Sequence, residues 1–200
     1  VWFDSKDASE HDEDMRKTLQ ATFAMGQDRT SHQNVLFLAD ELVEILARAL
    51  SPGVNDPFTA INCINWFHSG MRAMMKVDIP SPYRRDDDGN VRVIAHPVSF
   101  KRLVRTICDQ SRPYIAMDRN AAIKMLTILT ELAATARTDE HRDVLTDQIE
   151  SLNQATQGKI ASQFERDDLK LRFEQSAKMV SDPDFYQEVL ASEDWGGGRS

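Results

Sequence analysis

Val35-Leu36-Phe37-Leu38-Ala39-Asp40-Glu41-Leu42-Val43-Glu44-Ile45-Leu46-Ala47-Arg48-Ala49-Leu50, followed by Ser51-Pro52-Gly53-Val54-Asn55-Asp56-Pro57, decides the fold class. Val35, Leu38, Ala39, Leu42, Ile45, Leu46 and Ala49 recur at the spacing of one helix face, and Leu36, Val43, Ala47 and Leu50 widen the stripe beyond that of a surface helix. The spacing predicts a central helix from about Ser31 to Leu50, covered on most sides. Its polar strip carries Asp40, Glu41, Glu44 and Arg48, and Glu44 precedes Arg48 by one turn, the order that favours an ion pair. Ser51-Pro52-Gly53 ends this helix, and Asp56 with Pro57 starts the next as an N-cap followed by proline at the first helical position.

The same reading extends in both directions. Upstream, Met15, Leu19, Thr22 and Phe23 mark a helix that Gly26 stops, led in by the acidic Asp4, Asp7, Glu10, Asp12, Glu13 and Asp14. Downstream, Ile61, Ile64, Phe67, Met71, Met74 and Met75 give an apolar helix face expected to run until Pro80 and Pro82. Asp88-Gly89-Asn90 before Val91-Arg92-Val93-Ile94 predicts a turn feeding a short strand, hence a small hairpin. Three helices are expected over about 99–115, 119–136 and 139–156, the first marked by Phe100, Leu103, Val104 and Ile107. A charged tail over 160–200 holds Phe164, Leu169, Phe173 and Ala177 as candidate contacts, and Asp182-Pro183 starts a last short helix. The expectation is a mainly α protein: a multi-helix bundle of about six to eight helices with at most one small hairpin, as a single domain over 1–200.

Composition narrows the function classes. With 41% apolar and 28% charged residues the chain has the balance of a folded globular protein. A net charge of −8 argues against general nucleic-acid binding, which depends on Lys and Arg displacing counterions from phosphates. Cys63 and Cys108 lie far apart within predicted helices and form no redox or zinc pattern, which suits a reducing compartment. No apolar run reaches the ~18 residues of a membrane span, and no signal-peptide pattern opens the chain. His11, His32, His68, His96 and His141 show no metal-ligand spacing, so neither metal nor cofactor is expected.

Polar residues concentrate at the helix break. Ser51, Asn55, Asp56 and Thr59 stand beside a positive helix start, flanked by Glu44 and Arg48, and two readings remain open: a helix–helix connection with its cap, or a site for a small anion or other ligand. Ala49-Leu50-Ser51-Pro52-Gly53 resembles a serine-nucleophile elbow but fails physically, because a helix precedes the serine and Pro52 has no N–H for an oxyanion hole. Asp86-Asp87-Asp88-Gly89 hints at a calcium loop, yet that register puts Arg84 and Ala95 where acids are required. Arg29 and Thr30 form a second polar cluster, either a cap with a paired arginine or part of a site. The intervening helix holds the two clusters roughly 27 Å apart at ~1.5 Å per residue, so only a neighbouring subunit brings them together.

Gly26-Gln27-Asp28-Arg29-Thr30, Leu42-Val43-Glu44-Ile45, Arg48 to Ala60 and Asp86 to Val93 resemble a bacterial "predicted membrane protein" family of unknown function. Its members read G-x-x-R-T, then L-V-E-I-A-x-R-A-L-S-P-x-x-N-D-P-x-T-A, and later D-x-x-G-x-x-R-V. This chain departs at Leu46, where members usually have Ala, and at Asn34, where members often have an acid. The resemblance implies membrane helices in a missing N-terminal region, a full-length protein in the bacterial inner membrane, and this soluble module on its C-terminal side. The free cysteines favour the cytoplasm as the expected side for the module. No reaction comes with the resemblance. The leading expectation is a regulatory, ligand-sensing or assembly module; the alternatives are an enzyme with a polar site around Asn55 and Asp56, and a gating domain of a channel or transporter. A homo-oligomer is expected, formed through the wide helix or the following one with Met71, Met74 and Met75.

Overall fold

Local capping sets the boundaries of most elements in the computed structural model, which describes residues 12–22, 34–192 and 195. The described elements are α1 (Asp12–Ala21), α2 (Val35–Ala49), α3 (Pro57–Met74), β1 (Tyr83–Arg85), β2 (Val91–Ile94), α4 (Phe100–Ile115), α5 (Arg119–Ala134), α6 (Asp139–Thr156), α7 (Gln163–Ser181) and α8 (Pro183–Ala191). The protein is mainly α with one small antiparallel hairpin, as its periodicity predicts. Ser99, Asp118, Thr138, Ser162 and Asp182 each cap a helix by accepting a first-turn backbone N–H, which satisfies a donor the helix itself leaves free. The acidic lead-in at Asp4, Asp7 and Glu10, the stop at Gly26, and Arg29 with Thr30 lie outside the described residues.

The chain divides into two compact units. In the first, α1 and the hairpin are the described elements, and Met15 on α1 is 48% exposed. Tyr83 pairs with Ile94, Arg84 with Val93 and Arg85 with Val91, and every strand residue is exposed. The turn is held by Asp86, whose carboxylate accepts from Asn90 N (2.8 Å) and Arg92 Nε (2.6 Å), while Gly89 adopts φ 84°, where a side chain is strained. The bond from Arg92 is the main reason the Asp86 carboxyl lies below its ordinary pKa. Asp86, Gly89 and Arg92 of the D-x-x-G-x-x-R-V pattern are thus the parts that close the turn.

The second unit holds α2, α3 and α4 to α8 around α5. Helix α5 packs against α3, α6 and α7, and residues from Ala121 to Ala133 other than Lys124 and Glu131 are buried. Its two buried threonines are satisfied: Thr127 Oγ1 donates to Ile123 O (2.9 Å), and Thr130 Oγ1 donates to Leu126 O (2.7 Å) and lies 2.6 Å from Ser176 Oγ of α7. Asp168 of α7 accepts from Arg119 Nη2 at the start of α5 (2.5 Å) and from Arg172 Nε (3.3 Å), fixing α7 against α5.

Three expectations require correction. Helix α2 is not central: among the described elements it packs chiefly against α3 and α4, burying Leu36, Ala39, Val43, Leu46 and Ala49, while Val35 (47%), Leu38 (44%) and Ile45 (45%) are exposed. A helix apolar on most sides fits several rotations equally, so its neighbours, not its period, choose the buried face. On α3, Met71 is fully buried, and the helix ends at Met74, before the prolines, with Lys76 N and Val77 N donating to Ala73 O and Met74 O in a tightened last turn. On α7, Leu169 and Phe173 are core residues, but Phe164 is 80% exposed and Ala177 faces out, while Ser176 and Met179 are buried instead.

Candidate functional site

Between α2 and α3 the chain reverses through a loop whose backbone closes on itself. Val54 N and Asn55 N both donate to Ser51 O (3.0 Å each), and Asp56 N donates to Ala49 O (2.8 Å), tying the start of α3 to the end of α2. Closing the loop puts Asn55 at φ 48°, a left-handed conformation that asparagine tolerates better than most residues. Pro57 then occupies the first turn of α3 with its preset φ.

The polar side chains of this loop bond mostly to the loop. Asp56 Oδ1 accepts from Thr59 N (3.1 Å) and Oδ2 from Thr59 Oγ1 (2.6 Å), and these bonds, the hydroxyl first, hold its carboxyl below the ordinary aspartate range. Ser51 Oγ donates to Arg48 O (2.7 Å). The structure therefore joins Asp56 to Thr59 and Ser51 to the backbone at Arg48. Glu44 and Arg48 are exposed on α2 and make no ion pair with each other; the side chain of Asn55 is exposed. A carboxylate already held by two donors is a poor general base, because those bonds favour its charged form.

Large apolar side chains are exposed at the loop and on both helices that it joins. Val54 is 56% exposed and Phe58, one residue into α3, is 77% exposed; Trp66, two turns further along α3, is 67% exposed. With Val35, Leu38 and Ile45 of α2, the helical hairpin presents six large apolar side chains to solvent.

A second polar assembly, absent from the sequence reading, lies between α4 and α6. Arg105, Asp109, Arg112, Asp147, Gln148 and Glu150 line an open groove of ≈ 400 Å³. Arg112 Nη2 donates to Asp109 Oδ1 (2.5 Å) and to Gln148 Oε1 (2.5 Å). The Asp109/Arg112 pair is visible as an i, i+3 spacing, whereas Gln148 comes from 36 residues away and carries no local signal. A third group sits between α3 and α5, where His68 Nε2 lies 3.8 Å from Glu131 Oε2. Burial lowers the His68 pKa more than Glu131 raises it, so the imidazole is neutral at pH 7.

Both cysteines are buried and unpaired; burial raises the Cys63 thiol and pushes Cys108 up to about 12. Among the described residues no helix is long and apolar enough to cross a membrane, and no group of three His, Cys, Asp or Glu side chains is placed to hold a metal ion.

A helical body with a self-satisfied loop, an exposed apolar hairpin and polar grooves defines a mainly α module. Residues 1–131 match the family described as "Predicted membrane protein (DUF2254)", and the chain belongs to that family. It is similar to an uncharacterized protein of Mycobacterium bovis and to two uncharacterized proteins of Mycobacterium tuberculosis, each 28% identical over 142 residues, covering 71% of this chain. The matched stretch spans 27% of the length of each of those relatives. No solved structure matches the chain.

Proposed function

We propose that this part of the protein is an assembly module of a membrane protein, and that it self-associates through the α2–α3 hairpin. The observation that carries this reading is the exposure of Val35, Leu38, Ile45, Val54, Phe58 and Trp66 on two consecutive helices and their connection. Scattered apolar residues are normal on a surface, but aromatic side chains this exposed gain most when a partner covers them. Glu44 and Arg48 support the same reading. Both are exposed on α2 with no ion pair to a described residue, so a strip of opposite charges is left free to pair with itself across a two-fold axis, Glu44 of one copy with Arg48 of the second copy. The buried free thiols of Cys63 and Cys108 support a reducing, cytoplasmic side for the module.

Light scattering on the chain at high micromolar concentration tests the assembly. The parent is expected to be a dimer, and the double variant Phe58→Glu/Trp66→Glu a monomer with unchanged helical circular dichroism. A monomeric parent sinks the reading.

A further inference from the structure

Where the last turns of α3 and α5 lie side by side, Arg72, Lys76 and Arg137 converge on a groove of ≈ 190 Å³ walled by Met75, Leu132 and Thr135. The three cationic side chains are exposed, and none makes a hydrogen bond or ion pair with a described residue. The lining of the groove itself contains no carboxylate. Two helix C-termini bring together roughly one negative charge. Glu131, one turn before Thr135 on α5, adds one more, with its carboxylate 3.8 Å from His68. Burial keeps that histidine neutral at pH 7. Against the two helix ends and Glu131, three cations leave roughly one positive charge over, in a chain whose net charge is −8.

We infer that this groove binds the phosphate group of a phosphate ester. Two guanidinium groups and an ammonium give a tetrahedral oxyanion several charge-assisted donors, and the charge of a phosphodiester balances the excess. A carboxylate would balance it too, but offers two oxygens to a groove with three cations around it. The groove has ample room for a phosphate, and the buried Leu132 and half-buried Met75 give the ester carbons an apolar wall. The phosphate is carried either by a soluble phosphorylated compound or by an anionic phospholipid headgroup.

Two arms separate these sources. In the first, thermal melting of the chain is compared in sodium phosphate and in sodium chloride of equal ionic strength. In the second, the chain is floated with vesicles of phosphatidylcholine, with and without phosphatidylglycerol. A rise in Tm specific to phosphate assigns a soluble ligand; binding confined to the phosphatidylglycerol vesicles assigns the headgroup. In the responding arm the triple variant Arg72→Gln/Lys76→Gln/Arg137→Gln is expected to bind about tenfold more weakly or not at all. A control removing three exposed cations elsewhere, Lys101→Gln/Arg102→Gln/Lys159→Gln, is expected to retain the response. No response in either arm overturns the site. So does a response that survives in the triple variant, or one that the control loses equally, since binding then follows overall charge.

Discussion

Helices α2 and α5 both carry apolar residues around much of their circumference, yet α5 is buried on nearly every side and α2 on one. The difference lies in their neighbours. Helix α5 is enclosed by α3, α6 and α7, whereas among the described elements α2 packs chiefly against α3 and α4. Leu126, Ile128 and Leu129 consequently lie within 1% of full burial, while Ile45 and Leu38 keep nearly half their surface. Breadth of an apolar face thus sets how much cover a helix accepts, and its place in the topology sets how much it receives.

The largest expected effect follows from this contrast. Leu129→Ala in α5 should cost about 2–5 kcal/mol, because it removes buried methyl groups and leaves a cavity that rigid neighbours fill only in part. Ile45→Ala on α2, measured at a concentration low enough to keep the chain monomeric, should stay within about 0.5 kcal/mol, as surface changes usually do. Urea denaturation of both variants measures the gap, and equal losses would break the comparison.

A sharper version concerns the polar contact between α5 and α7. Thr130→Val and Ser176→Ala each strand part of a buried hydroxyl pair and should cost about 1–3 kcal/mol. The double variant should cost less than the sum of the two, since no unpaired hydroxyl is left behind. A double-mutant cycle in urea reads this coupling, and strict additivity would show that the 2.6 Å contact carries none.

A smaller effect than that of the buried hydroxyl pair belongs to the loop beside α2. Asp56→Ala should lower Tm by roughly 2–4 °C at pH 7, the usual consequence of losing an N-cap in a chain of this size. Because Thr59 holds the folded Asp56 pKa below its ordinary 3.8, the cap's contribution is complete above that value and is lost as pH falls through the lower folded one. The difference in Tm between parent and variant should therefore close in acid below about pH 3.8; a difference unchanged there would mean that the carboxylate charge is not what stabilises the cap.

Features written in neighbouring residues were legible. The Asp56-Pro57 start, the helices expected from about 99, 119 and 139 and the turn at Asp88-Gly89-Asn90 were all placed by short spacings, and the structure has them where the sequence puts them. The same locality explains why the loop's hydrogen bonds, from Asp56 to Thr59 and from Ser51 to the Arg48 carbonyl, agree with a capping role. The Arg112 to Gln148 contact and the cluster of Arg72, Lys76 and Arg137 were not legible, because each joins residues brought together by helix packing across 36 positions or more.

The family itself was carried by the stretch from Leu42 to Ala60 with the hairpin motif, and residues 1–131 match its model. By itself, then, the sequence determined helix content, most helix starts and family, since capping, turn chemistry and periodicity act over a few residues and depend little on what lies beyond them. Only the tertiary structure decided that α5 rather than α2 fills the centre, that Leu36 and Val43 point inward while Leu38 and Ile45 do not, and that three cations meet at the ends of α3 and α5. Those outcomes turn on which helices become neighbours, and burial rewards any arrangement that covers enough apolar surface, so the local pattern leaves the choice to the packing of the whole chain.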